Sequence, residues 1–453
     1  MGKKHEAKYH KFIKKLIKAQ KQDALRALLS DLDEVEISTA MMQLKLEHQT
    51  AVLEVLDTEK ASDVLSSLHQ SPVLAELAQK IQPQKLTAIV EDMPMDDAAD
   101  FLAYMDEEQA DAVLNKLSRE DRREISHLMQ YNEESAGGIM DPKVVTVTKD
   151  QSVVDAVRSI RKYNEENDVE EFYYIYVIDE YRHLIGTVQA TQLLLADPKA
   201  TIAELMDPDV VAVDVDLDQE DVAQTAREYD LVVVPVIDKH LRLIGRITID
   251  DLVDVISEEY AEDIGLIAGT GDEEVMDTSL VKTIRDRLPW LLLALLGGGL
   301  AAVMMNFYEG PISEMPKVAY FVPLIAALGG NIGIQSSSIV VRGLATGEIQ
   351  STDLAFRLWR ELRVGFLNGV ICSICLVFLA WALAGNLNFG ISTGIALLVV
   401  VCIAALIGGG VPIMLKRVNI DPALATGPFI TTSNDVLGVI IYLAIAFNMP
   451  ELF

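Results

Sequence analysis

The sequence predicts a multidomain fold: an all-α superhelical N domain, an α/β domain, a connecting helix and a five-helix α transmembrane domain. Three observations lead to this prediction. Short helical units recur over residues 1–132, a β-rich unit occurs twice over 133–256, and long apolar spans fill 287–453. The intervening residues 257–286 form the predicted connecting helix.

The formal charge is confined to one half of the chain. The whole charge of -30 lies in residues 1–286, which hold 60 acidic and 30 basic side chains, whereas residues 287–453 hold eight of each. A charge of this size repels itself unless counterions offset it. It argues against nucleic acid as a partner and favours cations, with an acidic surface that only confers solubility as the alternative.

The extreme N-terminus departs from this acidic trend. Eight lysines are spaced like one face of a helix: Lys3, Lys4, Lys8, Lys11, Lys14, Lys15, Lys18 and Lys21. Such a face is typical either of a solvated helix or of a contact with membrane lipid. The rest of residues 1–132 reads as short helices, because an Asp or Thr before a Glu-rich turn marks helix starts in segments such as 56–65 and 105–114. Units of about 11–15 residues predict a helical superhelix with an acidic surface.

An internal repeat follows the helical region. Met140-Asp141-Pro142 is echoed by Met206-Asp207-Pro208, and both copies continue through a helical stretch to Val-Ile-Asp and Leu-Ile-Gly segments. This pattern resembles a pair of CBS motifs, each a β-α-β-β-α unit, over about 138–200 and 204–256. The α/β domain is therefore a predicted CBS pair.

CBS pairs often bind adenine nucleotides such as ATP through a Thr and an Asp that follow a strand. The second copy keeps this pattern as Thr248 and Asp251, whereas the first copy has Gln189 and Gln192 in their place. The resemblance therefore implies at most one nucleotide site.

Five apolar spans are long enough to cross a membrane: 288–308, 318–341, 364–384, 390–414 and 424–447. The charges between them alternate, and by the positive-inside rule the N-terminal half lies in the cytoplasm. The sequence thus predicts a multi-pass protein of the cell membrane.

One carboxylate, Asp435, lies inside the fifth span. A buried carboxylate in the bilayer costs on the order of 3 kcal/mol, so it usually faces a polar pathway or partner. Other polar residues lie within spans as well, among them Asn331, Gln335 and Asn434. These residues favour ion permeation over a simple membrane anchor.

The densest acidic stretch leads from the second copy towards the membrane. Seven carboxylates fall within 14 residues without an intervening Lys or Arg: Asp250, Asp251, Asp254, Glu258, Glu259, Glu262 and Asp263. Like charges three and four residues apart destabilise a helix, unless a cation is shared. Oxygen ligands of this kind suit Mg²⁺. The stretch predicts a divalent-cation site, and an ordinary solvated helix is the alternative.

These parts together resemble the MgtE family of magnesium channels or transporters over nearly the whole chain. The most specific motifs lie in the membrane half: PLIAALGGNIGIQ at 323–335, RGLA at 342–345, DPA at 421–423, GPF at 427–429 and DVLG at 435–438. The resemblance implies a Mg²⁺-selective homodimer with a pore lined mainly by the second and fifth spans. It also identifies the connecting helix as the family's plug helix.

The resemblance implies particular site residues. Asp435 matches the pore carboxylate that holds hydrated Mg²⁺, and Asp421 matches an acidic residue at the cytoplasmic mouth that meets the plug. The sensing carboxylates correspond to ten residues: Asp251, Asp254, Glu259, Glu262, Asp263, Asp96, Asp100, Asp63, Glu220 and Asp230. High cytosolic Mg²⁺ would bridge these carboxylates and hold the pore shut.

Two alternatives come from other functional classes. One is a membrane-tethered nucleotide sensor, and the other is a CBS-regulated secondary transporter of another divalent cation or an organic or anionic substrate. An enzyme is not expected, because the seven histidines are scattered through the cytosolic half without the spacing of a metal or nucleophile site.

Overall fold

The computed structural model describes residues 6–68, 73–167, 172–270, 280–349 and 354–448. The chain divides into two compact units, Met1–Ile256 and Ser257–Phe453. Each unit contains its own apolar core.

Short helices fill the first part of the first unit. Ten are present among its described residues up to 128: α1 (Glu6–Lys18), α2 (Gln22–Ser30), α3 (Glu34–Met42), α4 (Leu46–Val55), α5 (Thr58–Ser66), α6 (Val73–Ala78), α7 (Pro83–Asp92), α8 (Met95–Ala103), α9 (Glu107–Leu114) and α10 (Arg119–Leu128). The side chains of Asp33, Asp57 and Ser118 accept hydrogen bonds from first-turn N–H groups and so fix three helix starts.

Alternate helices of this region pack on one another. α3 packs on α1 and α5, and α7 packs on α5 and α9. Lys60 Nζ donates to the carbonyl oxygen of Ser30 at 3.2 Å, and Lys85 Nζ donates to that of Leu56 at 2.6 Å. Both carbonyls end a helix, where a lysine satisfies unpaired groups and complements the helix dipole. This stacking confirms the predicted superhelical N domain.

Two three-stranded sheets form the α/β domain. The first copy contains β1 (Thr146–Thr148), α11 (Val153–Asn167), β2 (Tyr174–Ile178), β3 (Leu184–Gln189) and α12 (Ala190–Leu195). After α13 (Ile202–Leu205), the second contains β4 (Val213–Asp214), α14 (Gln219–Glu228), β5 (Val233–Ile237), β6 (Leu243–Thr248) and α15 (Ile249–Ala268). In both sheets the first pair of strands is parallel and the second antiparallel. The predicted β-α-β-β-α repeat is confirmed.

The two copies meet through equivalent turns between their last two strands. Arg182 and Leu241 occupy these turns with φ of 67° and 61°. The N–H of Leu184 donates to the carbonyl oxygen of Leu241 at 3.2 Å, and the N–H of Leu243 donates to that of Arg182 at 3.0 Å. This reciprocal pairing joins the copies in the manner that an internal repeat predicts.

Membrane-length helices make up most of the second unit. Five of the described helices are long and apolar enough to cross a membrane. They are α16 (Leu280–Phe307), α18 (Val322–Ala345), α19 (Leu354–Ala384), α20 (Leu387–Arg417) and α21 (Gly427–Asn448), and the short α17 (Glu309–Glu314) follows α16. The prediction of five spans after a cytosolic half is confirmed.

The connecting helix differs from its predicted bounds of 257–286. It is the second part of α15, which begins at Ile249 because β6 passes directly into a helix. α15 ends at Ala268, and α16 begins already at Leu280, whereas residues 271–279 lie outside the described residues. The boundary between the two units therefore falls inside α15.

The third span is longer than its predicted bounds of 364–384, because α19 begins at Leu354. Residues 354–363, which the predicted bounds leave between the second and third spans, are helical, and two of their charged side chains are buried. Arg357 Nη2 lies 3.0 Å from Glu361 Oε1, and these side chains are only 9% and 7% exposed. On the neighbouring α20, a Cβ on Gly409 would lie 2.8 Å from Cγ of Glu361, so the pair fills the helix interface.

Substituting one member of this ion pair is expected to destabilise the membrane unit. Glu361→Gln leaves the Arg357 guanidinium buried without its counter-charge, which costs about 3–5 kcal/mol. The double variant R357M/E361M removes both charges and is expected to lie much closer to the wild type. Thermal unfolding of the purified protein in detergent measures both, and a Glu361→Gln variant as stable as the wild type would contradict the assignment.

Candidate functional site

Asp96 lies in the first turn of α8. It is only 8% exposed, and its Oδ1 atom is buried without a hydrogen-bond partner among the described residues. Burial is the main reason why the pKa of Asp96 lies well above its ordinary value, and nearby negative charges raise it further: those of Asp97, Asp251 and Asp141. Ionised carboxylates are costly in such surroundings, so this position favours either the protonated acid or a neighbouring cation that offsets the charge.

Asp251 lies in the first turn of α15. Its Oδ2 accepts hydrogen bonds from the Thr248 N–H at 3.1 Å and from the Thr248 hydroxyl at 2.5 Å. Burial raises the pKa of Asp251 to about 6 against the lowering effect of these hydrogen bonds, and the charges of Asp250 and Asp97 add to the rise. The structure thus brings Asp251 of the second copy and the carboxylates of α8 into one electrostatic neighbourhood.

Asp141, the remaining carboxylate near Asp96, is neutralised by an arginine. Its Oδ2 accepts from Nε and Nη2 of Arg246 at 3.2 and 3.1 Å, and its Oδ1 accepts from the N–H of Lys143 at 2.8 Å. Asp141 therefore serves the fold rather than a metal. Sequence reasoning did not place Asp97 or Asp141 at the site. For Asp97 the sequence did contain an indication, because it directly follows Asp96 in the first turn of α8. Two adjacent carboxylates in one helical turn lie close enough to affect the same neighbouring groups.

The other predicted ligands of the first unit are more accessible. They are Asp63 on α5, Asp100 on α8, Glu220 on α14, Asp230 after α14 and Asp254 on α15; Asp63, Asp230 and Asp254 are exposed, and the other two are partly buried. Across the described residues, no three His, Cys, Asp or Glu side chains lie close enough to hold one metal ion. The structure groups Asp96 with Asp251, and the roles of the others stay predictions.

The remaining carboxylates of the acidic stretch, Glu259, Glu262 and Asp263, belong to the second unit. All three are partly buried on α15. Their sensing role also stays a prediction.

Two glycines allow the end of α15 to touch the start of α21. Gly269 and Gly427 have φ of 70° and 47°, in the left-handed region that glycine adopts at little cost. A Cβ on Gly427 would overlap the carbonyl oxygen of Ile267, and a Cβ on Gly269 would lie 2.7 Å from Cγ of Pro428. The two helices therefore meet backbone to backbone at this point.

Asp421 lies shortly before this contact. It is exposed and precedes a short 3₁₀ helix, Pro422–Ala425, whose Ala423 N–H donates to its Oδ1 at 2.8 Å. The carboxylate thus caps the segment that leads into α21. This geometry explains its position, and its role at a pore mouth stays a prediction.

Asp435 is partly buried on α21 and faces α18. A Cβ on Gly330 would lie 3.1 Å from Oδ1 of Asp435, so the glycine leaves room for the carboxylate against the neighbouring helix. Asn331 and Gln335, one turn apart on α18, are exposed in the single chain. Lipid does not solvate amides, so these side chains require a polar pathway or a protein partner.

Asn434, the residue before Asp435 on α21, also faces α18. It is buried, and neither its Oδ1 nor its Nδ2 has a hydrogen-bond partner among the described residues. A Cβ on Gly333 of α18 would overlap its amide, and a Cβ on Gly408 of α20 would overlap the Gly333 carbonyl oxygen. Small residues of this kind let membrane helices approach closely, so α18, α20 and α21 form the tight part of the bundle.

The candidate nucleotide residues cap helices in both copies. Thr248 and Asp251 bond to each other at the start of α15, and in the first copy Gln192 Oε1 accepts from the Gln189 N–H at 3.3 Å. Nucleotide binding by Thr248 and Asp251 stays a prediction.

Family models match the chain in three regions. A divalent cation transporter model, MgtE, matches residues 322–445, the MgtE intracellular N domain matches 32–134, and CBS domains match 136–199 and 202–258. The N-terminal half is therefore intracellular, and the predicted CBS pair is confirmed.

Curated relatives match over most of their length. The magnesium transporter MgtE of Thermus thermophilus is 33% identical over 93% of this chain and 94% of the relative, and that of Bacillus subtilis is 30% identical over 93% of both. That of Enterococcus faecalis is 36% identical over 74% of this chain and 72% of the relative.

Two solved structures resemble the cytosolic half. The soluble part of a magnesium transporter matches with a TM-score of 0.50 and 29% identity, covering 56% of this chain and 99% of that one. The cytosolic domain of the Mg²⁺ channel MgtE in complex with ATP matches with a TM-score of 0.51 and 36% identity, covering 54% and 98%. The chain is therefore a multi-pass membrane protein that belongs to the MgtE family of divalent cation transporters, a family of transporters rather than enzymes, as its motifs predicted.

Proposed function

We propose that this protein carries Mg²⁺ across the cell membrane as a homodimer, through a pore between α18 and α21 of both copies. The observation that carries the proposal is the position of Asp435 inside α21, against Gly330 and beside the exposed amides of Asn331 and Gln335. A second copy placed against this face would enclose a path lined by carboxylate and amide oxygens. Such oxygens suit a cation that keeps several of its waters, as Mg²⁺ does.

Regulation by cytosolic Mg²⁺ is the second part of the proposal. Support comes from two neighbouring carboxylates, the buried Asp96 of the N domain and Asp251 of the second CBS copy. Their negative charges repel each other when both are ionised. A cation between them would offset this repulsion and stabilise the closed arrangement. Mg²⁺ must bind the closed state more tightly than the open one for this to work.

The route from sensor to pore in this proposal is α15. Its first turn carries Asp251, and its last turn contacts the start of α21 through Ile267 and Gly427. In low Mg²⁺, repulsion among the carboxylates would separate the cytosolic domains and move the end of α15. The pore helix would then be released at its cytoplasmic end, near Asp421.

ATP is assigned to the second CBS copy alone. The similar cytosolic domain solved with ATP supports nucleotide binding, and only the second copy retains the Thr and Asp of the pattern, as Thr248 and Asp251.

Mg²⁺ flux into liposomes, with the Mg²⁺ concentration on the cytosolic side varied, tests the regulated transport. Wild-type flux is expected to fall as this concentration rises, and the variant Asp251→Asn/Glu259→Gln is expected to need a severalfold higher concentration for closure. Asp92→Asn/Glu107→Gln removes the same charge from two exposed sites and serves as the control. Competing Mn²⁺, Co²⁺ and Ni²⁺ establish selectivity, and wild-type flux that ignores cytosolic Mg²⁺ would refute the regulation.

A further inference from the structure

A basic surface covers one face of α1. The side chains of Lys11, Lys14, Lys15 and Lys18 are all exposed there, at spacings of three and four residues that place them on one helix face. The opposite face packs into the N domain through Ile13, Leu16 and Ile17. We call the four lysines and the neighbouring Phe12 the α1 basic face.

The charge of this face contrasts with the rest of the cytosolic half. The first 21 residues hold eight lysines and one glutamate, although residues 1–286 as a whole carry the entire charge of -30. A helix face that served only solubility would be expected to carry the same excess of acidic residues as the rest of the cytosolic half. Basic side chains gathered on one helix instead indicate an anionic partner.

An apolar side chain lies at the edge of the same face. Phe12 is 55% exposed, although it follows Lys11 and precedes the buried Ile13. Lysines flanking an exposed aromatic ring are typical of helices that lie on a membrane, where the ring enters the headgroup region and the lysines meet lipid phosphates. A purely electrostatic contact with an acidic protein surface would not require the ring.

We infer that the α1 basic face binds anionic phospholipid headgroups of the cytoplasmic leaflet. The N domain belongs to the same chain as the five spans, and this covalent link to the membrane raises the local concentration of lipid, so a weak contact suffices. The acidic remainder of the domain is repelled by an anionic surface. The α1 basic face therefore determines which side of the N domain can approach the membrane.

Amine-reactive footprinting of the full chain in nanodiscs tests this inference. One set of nanodiscs contains phosphatidylcholine alone and the other adds phosphatidylglycerol, because neither lipid carries a primary amine that would react with the label. Labelling of the four lysines is expected to slow by at least about fivefold in the anionic discs, which is the effect of one lysine near an anionic surface. About 1 M salt should remove the difference, since it screens the attraction.

Exposed lysines elsewhere in the cytosolic half provide the control within the same molecule: Lys45, Lys80, Lys116 and Lys199. Their labelling is expected to be the same in both lipids. Equal labelling of the α1 basic face in both lipids would overturn the inference. Slow labelling in both lipids that salt reverses would also overturn it, because the face would then bind an acidic protein surface such as that of a second copy.

Discussion

Replacing Asp435 by Asn is expected to reduce Mg²⁺ flux to the level of protein-free liposomes. The substitution keeps the size of the side chain and its fit against Gly330, but it removes the negative charge that would attract a hydrated divalent cation. A carboxylate is retained inside a span at a cost on the order of 3 kcal/mol, so the loss of charge should stabilise the helix while it removes conduction. A fluorescent Mg²⁺ indicator inside the liposomes measures the effect.

Glu314→Gln is the matched control for this experiment. Glu314 is exposed at the end of α17, outside the spans, and its neutralisation should leave flux unchanged. Thermal unfolding of Asp435→Asn in detergent verifies folding. A folded Asp435→Asn variant that conducts Mg²⁺ at the wild-type rate would refute the assignment of Asp435 to the pore.

Asp96→Asn is expected to stabilise the protein in EDTA and to abolish most of the stabilisation by Mg²⁺. The raised pKa of Asp96 means that its ionised form disfavours the folded state. An acid whose pKa is raised by folding stabilises the folded state at low pH, and this contribution is lost as the pH rises through the raised pKa. Removing the charge therefore raises the melting temperature without Mg²⁺, by about 2–4 °C for each kcal/mol recovered.

Stabilisation by Mg²⁺ distinguishes a site that binds the ion from a buried carboxylate that only destabilises the fold. Wild-type protein should gain roughly 2.7 kcal/mol when Mg²⁺ reaches about 100 times its dissociation constant, and Asp96→Asn should gain far less. Asp92→Asn, at the exposed end of α7, removes the same charge and should respond like the wild type. Differential scanning calorimetry provides the measurement, and an unchanged Mg²⁺ response in Asp96→Asn would exclude this residue from the sensor.

Much of the architecture could be predicted because its causes are local. The echoed Met-Asp-Pro, Val-Ile-Asp and Leu-Ile-Gly segments predicted the β-α-β-β-α repeat, whose strands form the two three-stranded sheets. The spans were recognisable from their apolar length. The family motifs then implied roles for residues such as Asp435, which composition alone could not assign and which the predictions above test.

What the sequence did not predict depends on contacts between distant segments. Arg357 and Glu361 lie before the predicted start of the third span at 364, but their mutual pairing allows both to be buried in a helix. The pairing of Asp141 with Arg246 could not be predicted from the Met-Asp-Pro repeat, because Arg246 lies 105 residues further along the chain. The neighbourhood of Asp96 and Asp251 likewise joins residues that are far apart in the sequence and that only the folded chain brings together.

The contact between Ile267 and Gly427 has a consequence for how this protein can vary. At Gly427 the approach is to backbone atoms, because a Cβ there would overlap the carbonyl oxygen of Ile267, so this position accepts no side chain without a shift of the backbone. Under the proposed regulation, the carboxylates upstream can be exchanged one at a time, and each exchange would adjust the Mg²⁺ concentration at which the protein responds. If α15 relays that response, its sensitivity can change in small steps, whereas residue 427 has to stay glycine for the two helices to remain in contact.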